Sequence, residues 1–168
     1  MNPLTIRPAD RNDVETLLNL INRLAEYERM RHQVRATAAL LERFGFSSNP
    51  YFHALIAEDE QPLGFALYFF TFSTFLARPT LYLEDLFVLP ERRSRGVGTA
   101  LFRRLASIAR AHDCGRMEWA VLNWNKSARR FYQGLGAAVL ADWQIHRLEA
   151  AAIDALAQQD AQGDSVSC

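Results

Sequence analysis

Cysteine is scarce in this chain of 168 residues: only Cys114 and Cys168 occur, far apart and without a Cys-x-x-Cys or Cys/His spacing. Their scarcity excludes a disulfide framework and a zinc site, so reduced thiols and no metal are expected. No stretch approaches the roughly 20 apolar residues of a membrane span, and the opening MNPLTIRPAD has no apolar run of signal-peptide length. The expectation is a cytoplasmic protein with no membrane partner. Neither sign of charge is in excess, with Lys+Arg and Asp+Glu both at 19. No global field therefore draws the chain to nucleic acid, and any basic site must be local. The histidines, His32, His53, His112 and His146, are scattered and form no ligand set, and no internal repeat is present.

What is present is apolar and aromatic: 49% hydrophobic and 11% aromatic residues, enough for one domain with a real core. Residues 3–7 (PLTIR) fit a short strand. Asp10 is an N-cap candidate for a helix whose Val14, Leu17, Leu18, Ile21, Leu24 and Ala25 recur at helical spacing. Thr37 can cap a second, short helix, ALLERF, stopped by Gly45 and the SSNP turn. YFHALIAED and LGFALYFFTF, joined by EQP, have the pattern of an antiparallel hairpin, and TLYLEDLFVL follows as a third strand. Residues 97–112 form an amphipathic helix with Leu101, Leu105, Ile108 and Ala109 on one face. MEWAVLNW reads as a strand, residues 126–135 as a short helix, and AAVL with WQIHRLE as a last hairpin. The small, polar end of the chain reads as a tail that is partly helical or disordered.

The junction LEDLFVLPERRSRGVGTALFRRL, residues 83–105, carries the chemistry. The first turn of a helix has backbone N–H groups without intrahelical partners and a partly positive dipole end, which together attract anions. Gly96 and Gly98 lack Cβ atoms and let a phosphate approach those amides, while Arg92, Arg93 and Arg95 supply positive charge at the rim. The pattern suits a pyrophosphate. It is not a Walker loop, because Gly98 is followed by Thr99 and Ala100 rather than by Lys and Ser/Thr. It is not a dinucleotide fingerprint either, since Leu101 stands where a third small residue belongs and the strands before it form hairpins.

The Arg-x-x-Gly-x-Gly run from Arg93 to Gly98 resembles the pyrophosphate loop of the GNAT superfamily of acyl-CoA-dependent N-acetyltransferases. LAEYE (24–28), FALYFFTF (65–72), YLEDLFV (82–88), RGVG (95–98) and EWAVLNWNKSARRFYQGLGA (118–137) follow the order and spacing of its spermidine/spermine and thialysine N-acetyltransferase branch. The resemblance extends to about residue 149. It implies an α/β fold, a mixed, mostly antiparallel sheet with helices on both faces and a CoA cleft between splayed strands, formed by residues 1–150 as one domain with 151–168 as the tail.

Acetyl transfer from a thioester to an amine needs a neutral amine, a polarised carbonyl and a protonated leaving thiolate. The resemblance places Tyr132 as general acid and Glu84 as base, acting through a water, with Asp85, Tyr27 and Glu28 facing the substrate. It assigns acetyl-CoA to the loop Arg92, Arg93, Ser94, Arg95, Gly96, Val97, Gly98 and Thr99, to the strand backbone around Phe87 and Val88, and to Asn125, which also suits a helix N-cap. Strand alternation sends Glu84 and Asp85 to opposite faces, so both reach one site only across a bulge. The branch implies a homodimer, a primary amine of a diamine, polyamine or thialysine-like molecule, and direct attack in a ternary complex. Ser73 and Phe75 depart from the acid and tryptophan that polyamine enzymes of the branch carry, which leaves an unrelated amine open. A nonenzymatic acyl-CoA-binding module would use the same loop and dispense with Tyr132, Glu84 and Asp85. RNA binding through the arginines is disfavoured by the zero net charge.

Overall fold

The computed structural model describes residues 3–163. A five-stranded sheet in the order β1-β2-β3-β4-β5 organises the chain up to Ala120. Its centre is β3 (Pro62–Ser73), a 12-residue run so apolar that it is buried on both faces through its first half. β3 pairs antiparallel with β2 (His53–Glu58) and with β4 (Arg78–Val88), and β2 pairs antiparallel with β1 (Thr5–Pro8). The expected hairpin and third strand are therefore present. β5 (Arg116–Trp119) joins β4 in parallel, after the crossover helix α3 (Val97–Ala111).

One face of the sheet carries α1 (Val14–Tyr27) and α2 (Ala38–Gly45). Leu17 and Leu20 of α1 and Leu41 of α2 close over Ile56, Phe65, Leu67 and Phe87. On the opposite face α3 sets its fully buried Leu101 and Leu105 against the strands, where Leu55, Leu81 and Leu83 are fully buried. Burying each such side chain contributes roughly 1.5–3 kcal/mol. Asp10 does cap, but it caps a single 3-10 turn, Arg11–Asp13, that leads into α1. Asp13 returns the bond to the Asp10 amide at 2.8 Å and pairs with Arg7 at 2.7 Å, and Arg7 also holds Glu58 at 2.8 Å. The start of α1 is thereby pinned to β1 and β2. Thr37 caps α2, accepting from Leu40 N–H at 3.2 Å.

The chain from Val121 onward is a second compact unit. α4 (Lys126–Gly134) begins at Asn125, whose side-chain oxygen accepts from Ala128 N–H at 3.1 Å. Two sequence expectations are corrected here. MEWAVLNW yields a strand only as far as Trp119, because Asn123, Trp124 and Asn125 turn the chain into α4. AAVL and WQIHRLE form no hairpin: residues 137–149 carry no strand, and Val139, Trp143 and Ile145 are exposed. A lone two-stranded hairpin without an apolar surface beneath it is marginal in water. The tail is helical as α5 (Ala150–Gly163), whereas Cys168 lies outside the described residues. Cys114 is half-buried, with burial raising its thiol pKa. Among the described residues no helix is long and apolar enough to cross a membrane, and no group of three or more His, Cys, Asp or Glu is placed to hold a metal.

Candidate active site

β4 and β5 pair only from Thr80↔Arg116 to Leu83↔Trp119. Among the described residues β4 continues to Val88 with no partner strand on that side, which leaves the edge groups of residues 84–88, Phe87 and Val88 among them, without ladder bonds to β5. An extended, amide-bearing ligand can add to such an edge as a strand would.

The register of β4 against β3 shifts at the same place. Leu83 stands opposite Tyr68 and Asp85 stands opposite Leu67, so Glu84 is an extra residue with no partner on β3. The shift is a β-bulge, and it breaks the alternation that would have put Asp85 on the α3 face beside Leu83. Asp85 instead shares the α1 face with Leu67 and Phe87. There its carboxyl pKa is pushed up to about 7, first by burial and then by the negative charges of Glu84 and Glu28. Glu28, at the end of α1, is half-buried and also has its pKa raised by burial. Glu84 remains exposed. Tyr82, on the same face as Asp85, stacks on Phe69 with centroids 5.2 Å apart, and burial with Glu84 and Glu118 raises its phenol pKa.

Beyond Val88 the chain makes a 3-10 turn, Pro90–Arg92, and enters α3 through the arginine-glycine loop. Ser94 and Gly96 both have positive φ, 61° and 80°, and Gly96 is the N-cap of α3 without any side-chain cap. Beyond its chain neighbours and the backbone of its own helix, no atom of the described residues lies within 4 Å of where a Cβ on Gly96 would stand. The first intrahelical donor is Ala100, bonded to Gly96 at 2.9 Å, which leaves the amides of Val97, Gly98 and Thr99 for an anion. The three arginines differ. Arg95 is exposed, Arg92 lies 3.7 Å from Asp59, and Arg93 turns inward with its Nε 3.0 Å from the Val88 carbonyl oxygen. These donors and the bare edge of β4 fit a diphosphate joined to an amide-bearing arm. In the second unit, Tyr132 sits on α4, half-buried, with its ring 5.4 Å from that of Phe131.

Residues 14–137 match the acetyltransferase (GNAT) family. The chain belongs to that family. It is 37% identical over 164 residues to the thialysine N-epsilon-acetyltransferase of Mus musculus, an alignment covering 90% of this chain and 96% of the mouse protein. It is 36% identical over 158 residues to the spermidine/spermine N(1)-acetyltransferase-like protein 1 of Homo sapiens, covering 88% of this chain and 23% of that longer protein. Among solved structures, an integron cassette protein from the mobile metagenome of V. cholerae superposes with a TM-score of 0.77 at 27% identity, over 92% of this chain and 98% of the other. The GNAT reading of the sequence and its mostly antiparallel α/β fold are thus borne out, and the chain is an acyl-CoA-dependent transferase.

Proposed function

We propose that this GNAT protein moves an acetyl group from acetyl-CoA to a primary amine of a small molecule, by direct attack in a ternary complex. The observation that carries the reading is the bulge at Glu84, which turns Asp85 toward Glu28 beside the bare edge of β4 that leads into the glycine loop. The diphosphate lies on the amides of Val97, Gly98 and Thr99, with Arg92, Ser94, Arg95 and Gly96 around it. The pantetheine arm follows Phe87 and Val88, and Asn125 adds a contact. Glu28, Glu84 and Asp85, with Tyr27, hold a cationic amine.

An amine of this kind arrives protonated and must lose a proton before it attacks. Sequence resemblance gave the base to Glu84 through a water. The Asp85 carboxyl, raised to about 7, is matched to proton transfer near neutral pH, and Glu84 supplies charge that keeps it there. The amine nitrogen then bonds to the thioester carbonyl carbon, the carbon–sulfur bond breaks, the Tyr132 phenol protonates the leaving sulfur, and the surplus proton on the new amide nitrogen leaves through solvent, from which the Tyr132 phenolate is reprotonated. We assign residues 1–150 to one acetyltransferase domain acting as a cytoplasmic homodimer.

Within this reading a thialysine-like amine is favoured over a long polyamine. Ser73 is buried and accepts from Leu76 N–H at 3.3 Å, so it closes the β3–β4 turn rather than facing a ligand, and Phe75 at that turn is 97% exposed. Thiol release from acetyl-CoA against thialysine, lysine, putrescine, spermidine and spermine tests the proposal. Turnover with thialysine above that with spermidine supports it. CoA binding without turnover on any amine would leave a binding module instead.

A further inference from the structure

The Arg93 side chain turns away from the loop it opens. Its Nε–H donates to the Val88 carbonyl oxygen at 3.0 Å, and its guanidinium carbon lies 4.2 Å from the centroid of the Tyr27 ring and 5.8 Å from that of Phe87. The two rings are themselves 6.4 Å apart and tilted by 49°. One cation therefore joins the last turn of α1, the end of β4 and the first residue of the glycine loop. Two of these segments lead directly to the acids. Glu28 follows Tyr27, and Asp85 lies three residues before Val88 on the same strand. A guanidinium suits the position because its plane can stack on a ring while its edge donates, which a lysine ammonium does not reproduce.

We propose that Arg93 is a positioning residue that couples the phosphate-binding loop to the amine-binding acids, and that its side chain is not a ligand of the diphosphate. The proposal rests on the acetyl-transfer reading above. When the loop closes on an anion, Arg93 carries the shift to Tyr27 and so to Glu28, and cofactor occupancy is felt where the amine sits.

Hydrogen exchange and steady-state kinetics on the full chain test this with Arg93→Lys and Arg93→Gln. In the wild-type protein CoA should slow exchange both in residues 88–98 and in residues 24–28. In Arg93→Lys the first protection should persist and the second be lost. The amine KM of that variant should rise about tenfold while the acetyl-CoA KM stays within about threefold, the scale of one cation–π contact. Tyr27→Leu, which removes the ring without touching the loop, should keep the CoA protection of residues 88–98 and lose that of residues 24–28, and this exchange readout, which a direct contact of Tyr27 with the amine would not move, answers the question even if an Arg93 variant fails to fold. An acetyl-CoA KM that rises more than the amine KM in Arg93→Lys would overturn the proposal and make Arg93 a phosphate ligand. Unchanged protection of residues 24–28 in that variant, or in Tyr27→Leu, would overturn it as well. If the wild-type protein binds no CoA, the acetyl-transfer reading fails and the coupling with it, a result distinct from CoA binding without coupling.

Discussion

Leu83 and Asp85 lie two residues apart on one strand and face opposite sides of the sheet. Regular pleating would bury both under α3. The single unpaired residue between them, Glu84, sends Asp85 to the α1 face, where a carboxylate loses water without gaining a cation. A group so placed holds its proton up to neutral pH and gives it up when an ammonium arrives, which suits both amine binding and deprotonation.

The first prediction concerns rate. If Asp85 accepts the proton, kcat/KM for the amine should rise with pH through about 7 and level off above it, because the free enzyme must have this carboxyl ionised. Asp85→Asn should lower kcat by roughly 100-fold or more and remove that limb, leaving only the titration of the amine. A limb that persists in the variant would assign the base elsewhere.

Stability should follow the same group with the opposite sense. Because folding raises the Asp85 pKa, the folded chain binds more protons than the unfolded one between about 4 and 7, and stability falls as pH rises across that window. Asp85→Asn mimics the protonated acid. Thermal melts of the variant and the wild type should coincide near pH 4, with the variant the more stable at pH 8 by about 1–3 kcal/mol.

Glu84 contributes to that shift through its charge, so its removal has a defined direction. Glu84→Gln should move the acid limb of the rate profile to lower pH, since a neutral neighbour no longer opposes ionisation of Asp85. Rate profiles of the two proteins measured side by side check the direction, and a limb that moves upward would contradict it.

Much of this arrangement was legible in the sequence and part was not, for identifiable reasons. The β2–β3 hairpin, α3 and the glycine loop are signalled locally, by apolar periodicity and by residues that tolerate positive φ. The bulge is not. Neither Glu84 nor its neighbours is a glycine or proline, and the extra residue exists only relative to the register of β3. The direction of Arg93 was hidden for the same reason, since its partners Tyr27 and Val88 come from α1 and β4. The apolar residues between Ala137 and Leu148 read as strands because alternation registers composition, whereas a strand also needs a partner with free backbone groups.

Gly64 holds β3 close to the bare end of β4. A Cβ there would collide with the Phe87 carbonyl oxygen and lie 3.0 Å from the Val88 Cα, both of them backbone and unable to swing aside. Gly64→Ala should therefore destabilise the fold by about 1–3 kcal/mol, as overpacking does, and weaken CoA binding by moving residues 87 and 88. Denaturant melts and a CoA titration measure the two effects. Full stability with normal affinity would mean that the strands separate freely at this point.

The role proposed for Tyr132 is tested by removing one atom. Tyr132→Phe keeps the ring beside Phe131 and leaves the Asn125 cap of α4 intact, so helix and packing should survive. The phenolic hydroxyl is lost. If its proton goes to the departing sulfur, kcat should fall by roughly 100- to 1,000-fold, the range for one general acid, with the acetyl-CoA dissociation constant changed by less than about threefold. Thiol release under saturating substrates gives the first quantity and calorimetric titration of CoA the second. A parallel loss of affinity and rate would make the hydroxyl a binding contact, and unchanged turnover would take Tyr132 out of the chemistry and leave the thiolate to depart unaided or to water.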